Sequence, residues 1–254
     1  MIKRFFTFLL FLFCTLLINP VSGGDHDSTD IDKLQMWIAG TTVSTKAVDA
    51  FGIQRCFSAD KIPDKVWERM SGKTFVKNPH IGRKDLRYLR LLHWDFDNQA
   101  HIGELVCNKQ IAIVLVDIFR ELYEKRYPIQ RMVLPDYYGA DDELQMRDNN
   151  TSCFCYRVVR GSNKISNHSL GLAVDINPLY NPYYKDQAGK QRFVQPSTAS
   201  TYCDRSKKFR YKIDENDLAY QLFTRKGFKW GGAWRSCKDF QHFEYEVKNM
   251  SKRR

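Results

Sequence analysis

The sequence predicts an α+β domain built on an antiparallel sheet with flanking helices. Two observations carry that prediction. Strand-like and helix-like runs are mixed without the regular strand–helix–strand spacing of a parallel fold. The chain also shows no internal repeat and no low-complexity stretch that would point to a solenoid or a fibre.

The elements follow in order. Leu86 to Phe96 is rich in bulky residues suited to a strand. Asn108 then caps a helix running to about Arg126, with Ile111, Val114, Leu115, Ile118 and Leu122 recurring at helical spacing. That stripe is core. Pro128 ends the helix, and Ile129 to Leu134 reads as the next strand. Asp136 to Asn150 is polar and reads as a loop, and Phe154 to Val159 as another strand. Asp214 caps a second helix through Lys226, with Leu218, Leu222 and Phe223 inward and Gly227 as its stop. A final strand takes in His242 to Val247.

The start of the chain is different in kind. Lys3-Arg4 precede an apolar run from Phe5 to Ile18, and Asn19-Pro20 and the small residues Val21 to Gly24 follow. That order reads as a secretory signal peptide over residues 1–24, since the run is shorter than the roughly 20 residues a spanning helix needs. The expectation is therefore an exported protein, periplasmic or extracellular, with no stable membrane anchor after cleavage. Residues 25–84 read as an N-terminal extension, with a polar, flexible start over 25–33 and irregular structure over 34–80. Residues 249–254 form a basic tail. Losing Lys3 and Arg4 takes the formal charge from +11 to +9. The remaining basic residues are scattered, so the charge suits an anionic polymer such as a cell wall without forming a nucleic-acid patch. The six cysteines beyond Cys14 are an even count, which in an exported chain suggests disulfides.

Two segments carry the chemistry. The first runs Ser166-Asn167-His168-Ser169-Leu170-Gly171-Leu172-Ala173-Val174-Asp175. Ala173 and Asp175 share one face of a short strand, and Gly171 permits a tight turn that brings His168 toward Asp175. The second runs Trp230-Gly231-Gly232-Ala233-Trp234, then Asp239-Phe240-Gln241-His242-Phe243-Glu244. His168, Asp175 and His242 supply three protein ligands, which with an open fourth position is what catalytic zinc requires. Asp239 is a spare carboxylate that can accept a proton from an activated water, and Glu244 can hydrogen-bond a ligand imidazole from outside.

Taken together, these motifs resemble the zinc D-alanyl-D-alanine carboxypeptidase family, which includes vancomycin-resistance dipeptidases and phage L-alanyl-D-glutamate endolysins. The resemblance extends to Gly103-Glu104-Leu105, Asn149 to Arg157 and Asp175 to Tyr183, and so spans a peptidase domain over about residues 85–248. It implies a hedgehog/DD-peptidase-like antiparallel sheet flanked by helices. It implies one Zn2+ ion on His168, Asp175 and His242, with Asp239 as acid-base and Arg157 steadying the substrate oxygen. Arg157, Ser166, Trp230 and Trp234 are the expected substrate contacts, although tryptophans are more often core. The implied activity is a zinc metallopeptidase acting on peptidoglycan stem peptides, of carboxypeptidase or endopeptidase type. The implied partners are those peptides and no nucleic acid, and the implied state is a monomer. The alternative is a non-catalytic peptidoglycan-binding module on the same fold.

Overall fold

A computed structural model describes residues 24–159, 162–188 and 192–247 of the chain. The expected signal peptide and the basic tail lie outside the described residues, apart from Gly24, where the first helix begins. None of the helices among the described residues is long and apolar enough to cross a membrane.

In chain order the elements are α1 (Gly24–Met36), α2 (Thr45–Phe51), β1 (Ser58–Asp60), α3 (Asp64–Met70), β2 (Leu86–Trp94), β3 (Ala100–Asn108) and α4 (Ala112–Glu124). Then come α5 (Asp142–Arg147), β4 (Ala173–Asp175), β5 (Tyr183–Lys185), β6 (Phe193–Gln195), α6 (Leu218–Arg225), β7 (Lys229–Trp230), β8 (Lys238–Asp239) and β9 (His242–Glu244). The strands form three antiparallel sheets, ordered β1-β2-β3, β4-β9-β7 and β6-β5-β8. The fold is α+β, as its mixed pattern predicts.

The two longest strands form the β2–β3 hairpin of the first sheet, in register from Leu86 opposite Asn108 to Trp94 opposite Ala100. The strand expected at Leu86 is β2, and its partner β3 is one that the sequence pattern does not announce. Neither face of β2 is solvated: Leu86, Leu89, Leu91 and Leu92 are all buried, so the strand lacks the alternation of a half-exposed one. Helix α4 packs against β2 with Leu115, Ile118, Phe119 and Leu122 buried. Phe119 meets Phe223 of α6 edge-on at 6.2 Å, and Phe223 stacks on Phe243 of β9 at 4.6 Å. One apolar column thus joins the scaffold to the strand that carries His242.

Several boundaries differ from the sequence reading, each for a local reason. Residues 25–33 belong to α1, which is held because Leu34 and Trp37 are buried and Asp30 both pairs with Lys33 and accepts from the Ser44 amide. Residues 34–80 supply α2, β1 and α3, and β1 pairs with β2. Asn108 caps a turn, accepting from the Gln110 amide, and α4 begins at Ala112. Asp217 caps α6 by accepting from the Ala219 and Tyr220 amides, while Asp214 serves the turn before it. The polar stretch 136–150 contains α5, capped by Asp141. Ile129 to Leu134 and Phe154 to Val159 are extended but join no sheet, and the final strand stops at Glu244.

The expected disulfides are absent among the described residues. Cys56, Cys107, Cys153, Cys155 and Cys203 are buried free thiols and Cys237 is half-buried. Each of the five packs as a small apolar side chain, and burial pushes the Cys56 and Cys155 thiols up to about 11, away from the reactive thiolate.

Gly171 fixes how the site segment meets the hairpin. Its φ is +64°, and a Cβ there would lie 2.6 Å from the Asn108 amide nitrogen, which itself donates to the Gly171 carbonyl. Gly171→Ala is therefore expected to lose more than about 2 kcal/mol, from left-handed strain plus a backbone clash. Thermal unfolding checks this, and an unchanged Tm would refute it.

Candidate metal and catalytic site

His168 sits in a 3-10 turn (Asn167–Leu170) whose first amides are capped by Ser166; the Ser166 hydroxyl accepts from the His168 amide at 3.3 Å. Gly171 ends the turn in the left-handed region and delivers the chain directly into β4. Asp175 closes β4 and lies directly opposite His242 of β9. Cross-strand neighbours on one face hold their Cβ atoms close enough to share a ligand. The turn supplies His168 to the same point.

The geometry is tight. His168 Nε2 lies 3.2 Å from Asp175 Oδ2 and 3.2 Å from His242 Nδ1, and His242 Nδ1 lies 3.0 Å from Asp175 Oδ1. These ligand atoms lie within 4.8 Å of one another, all three residues are buried, and they are the one such group among the described residues. The outer nitrogen of each ring is already committed. His168 Nδ1 donates to the Cys153 carbonyl at 2.6 Å, and His242 Nε2 donates to Glu244 at 3.4 Å. Glu244 in turn accepts from the Asn167 amide group at 2.5 Å. Those partners fix both tautomers so that the inner nitrogens present lone pairs. Two imidazole lone pairs and a carboxylate facing one point need a shared cation, and two nitrogens plus one oxygen suit zinc. The residues fit that ion.

Burial disfavours charge on His242, but the Asp175 and Glu244 carboxylates outweigh it and push its pKa up to about 10. Burial works the other way on Asp175, and the two imidazoles overcome it, holding that carboxyl well below the usual carboxylate range.

Asp239 stands beside this group without belonging to it. It ends β8, opposite Tyr183 of β5, two residues ahead of β9. Gly231 makes the approach possible: a Cβ there would lie 2.7 Å from the Asp239 carbonyl oxygen and 3.2 Å from His242 Cβ. Asp239 Oδ1 is buried without a hydrogen-bond partner among the described residues. Burial first, and the Asp175 charge second among the raising effects, push the Asp239 carboxyl up to about 7. A carboxyl poised near neutrality both accepts and returns a proton.

Arg157 lines the same cleft, and its charge reaches both Asp175 and Asp239. Its backbone is tied to the His168 turn, since its amide donates to the Ser169 hydroxyl at 2.6 Å and its carbonyl accepts from the Ser166 amide at 3.2 Å. Ser166 lines the cleft, although its hydroxyl is engaged as the cap. Trp234 also lines it, with its ring 5.2 Å from that of His242. Trp230 does not: it is buried against Tyr220 and Phe240 and donates to the Phe240 carbonyl at 2.9 Å. Its expected substrate contact is corrected to a core role. The Cys153 carbonyl that orients His168 has no sequence signature, because any residue could offer it.

Residues 160–245 match a family model described as D-alanyl-D-alanine carboxypeptidase. That segment, about a third of the chain, holds His168, Asp175, Asp239 and His242 and is similar to this carboxypeptidase family. The match supports a peptidase acting on peptidoglycan. No curated protein and no solved structure matches the chain.

Proposed function

We propose that this peptidase is an exported zinc enzyme that hydrolyses peptide bonds in peptidoglycan stem peptides, working as a monomer. The observation that carries the reading is the buried His168–Asp175–His242 trio with both ring tautomers fixed and Asp239 beside it. A zinc ion held by those three residues would polarise the scissile carbonyl and acidify a water. Asp239 takes the proton of the attacking water and returns it to the leaving amine. Arg157 donates to the carbonyl oxygen as negative charge grows there. Asp175 and the outer partners of the two rings, the Cys153 carbonyl and Glu244, keep the ligand set aligned. Trp234 walls the cleft over His242 and helps exclude bulk water.

The three converging metal-facing residues with Asp239 beside them support hydrolysis at a peptide carbonyl. The carboxypeptidase and endopeptidase forms of the reaction differ in which bond lies over the metal. Digestion of purified muropeptides followed by mass spectrometry of the products tests the reading and identifies the bond. Hydrolysis is expected with zinc and is lost on treatment with a chelator. Turnover that survives the chelator would refute the metal assignment.

A further inference from the structure

The short helix α5, read from sequence as part of a polar loop, places Asp142 against Arg157. The two form an ion pair between Asp142 Oδ2 and Arg157 Nε, with both side chains partly buried. The pair is anchored on both sides. Asp142 Oδ1 accepts from Gln145 Nε2 at 2.8 Å, and Gln145 is itself buried. Arg157 Nη1 donates to the Cys155 carbonyl at 3.3 Å. A guanidinium is planar, so fixing Nε and Nη1 fixes the whole fork and sets the direction of the remaining Nη2 donor. Asp142 and Arg157 both line the cleft that holds the metal trio and Asp239.

Helix α5 also reaches the opposite wall. Glu143 accepts from the Ser197 amide at 2.7 Å, and Arg147 donates to the Ser197 hydroxyl at 2.6 Å. Ser197 follows β6, whose residues Phe193 and Gln195 line the cleft. The helix that aims the arginine is therefore braced against the β5–β6 side of the groove.

We propose that Asp142 is a positioning residue of the catalytic cleft: it orients Arg157 so that the guanidinium meets the substrate carbonyl oxygen as charge develops. This rests on the peptidase reading above. Asp142 touches no substrate and acts only through Arg157. A misaimed donor loses stabilisation mostly in the transition state, so the loss falls on kcat more than on KM.

The test uses the full zinc-loaded chain on a purified muropeptide. Asp142→Asn is expected to lower kcat by about 10- to 100-fold with a smaller change in KM. Its zinc content should stay at one ion per chain. Asp142→Glu, which keeps the charge, should recover most of the loss. The double variant Asp142→Asn/Arg157→Ala should be no slower than Arg157→Ala alone, because the aspartate has nothing left to aim. A kcat within about twofold of wild type in Asp142→Asn would overturn the proposal. So would a double variant that shows the product of the two single losses. A wild-type chain that turns over no muropeptide would overturn the functional reading itself, and this proposal with it.

Discussion

Replacing Asp239 by Asn lowers kcat by about a hundred- to ten-thousand-fold and leaves zinc binding intact. The carboxylate is not one of the three converging ligand groups, so the metal trio keeps its geometry. The substitution is nearly isosteric, so the close contact with Gly231 is preserved. What changes is proton capacity, because an amide neither accepts the proton of the attacking water nor returns it to the amine. Substrate affinity depends on the rest of the cleft, so KM moves little. The pH profile gives a second readout. Burial pushes the Asp239 carboxyl up to about 7 in the protein alone, and the charge of a bound zinc ion would move it lower. The base works only when deprotonated, so wild-type activity falls as pH drops through the Asp239 pKa of the zinc-loaded protein, which lies below about 7, and this limb disappears in the variant. Metal analysis with steady-state kinetics checks both statements. Wild-type turnover in Asp239→Asn would remove Asp239 from the mechanism.

His168→Ala is expected to abolish zinc binding and turnover together. The ring is held by the Cys153 carbonyl on one side and turns Nε2 toward Asp175 and His242 on the other, so no neighbouring side chain replaces it. The measurement is zinc stoichiometry, with thermal unfolding plus and minus zinc. Wild-type Tm should rise with zinc, by the equivalent of about 2.7 kcal/mol at a hundredfold excess over Kd, and the variant's should not move. Unfolding in chelator separates ligand loss from misfolding, because both proteins should then unfold at similar temperatures. Zinc affinity of the wild type also carries a pH signature. The Asp175 and Glu244 carboxylates push the His242 pKa up to about 10, so metal binding there competes with a proton. Apparent affinity therefore rises with pH, by up to about tenfold per unit below that value. Retained zinc in His168→Ala, at wild-type stoichiometry, would sink the ligand assignment.

The metal trio was legible in the sequence because its members sit in two short segments whose strand alternation and turn residues are local properties. The same holds for β2, α4 and α6, where apolar periodicity is strong. What was not legible depends on partners far along the chain. Ile129 to Leu134 has the composition of a strand, yet its backbone is served by side chains. Asn150 Oδ1 accepts from the Val133 amide at 2.9 Å, its Nδ2 donates to the Val133 carbonyl at 3.0 Å, and Asn177 accepts from the Gln130 amide at 3.1 Å. Phe154 to Arg157 likewise bonds in turn to Val106, Thr74 and the Ser169 hydroxyl. An apolar extended run with scattered partners reads like a strand until those partners are known. Trp230 misled for the opposite reason: it neighbours the site in sequence, while its indole finds the core. Asp142 carried no signal, because nothing local ties a helix-start carboxylate to an arginine fifteen positions on.

The orientation of His168 bears on whether the site could be moved to another scaffold. The three metal-facing residues and Asp239 fall between residues 160 and 245, but Arg157 precedes them, the carbonyl that sets the His168 ring belongs to Cys153, and the amide that meets Gly171 belongs to Asn108. The metal-facing residues and the proton carrier thus form a compact block in the chain, whereas their alignment depends on residues that precede it. Transplanting the block alone would carry over a complete set of ligands with no jig to hold them.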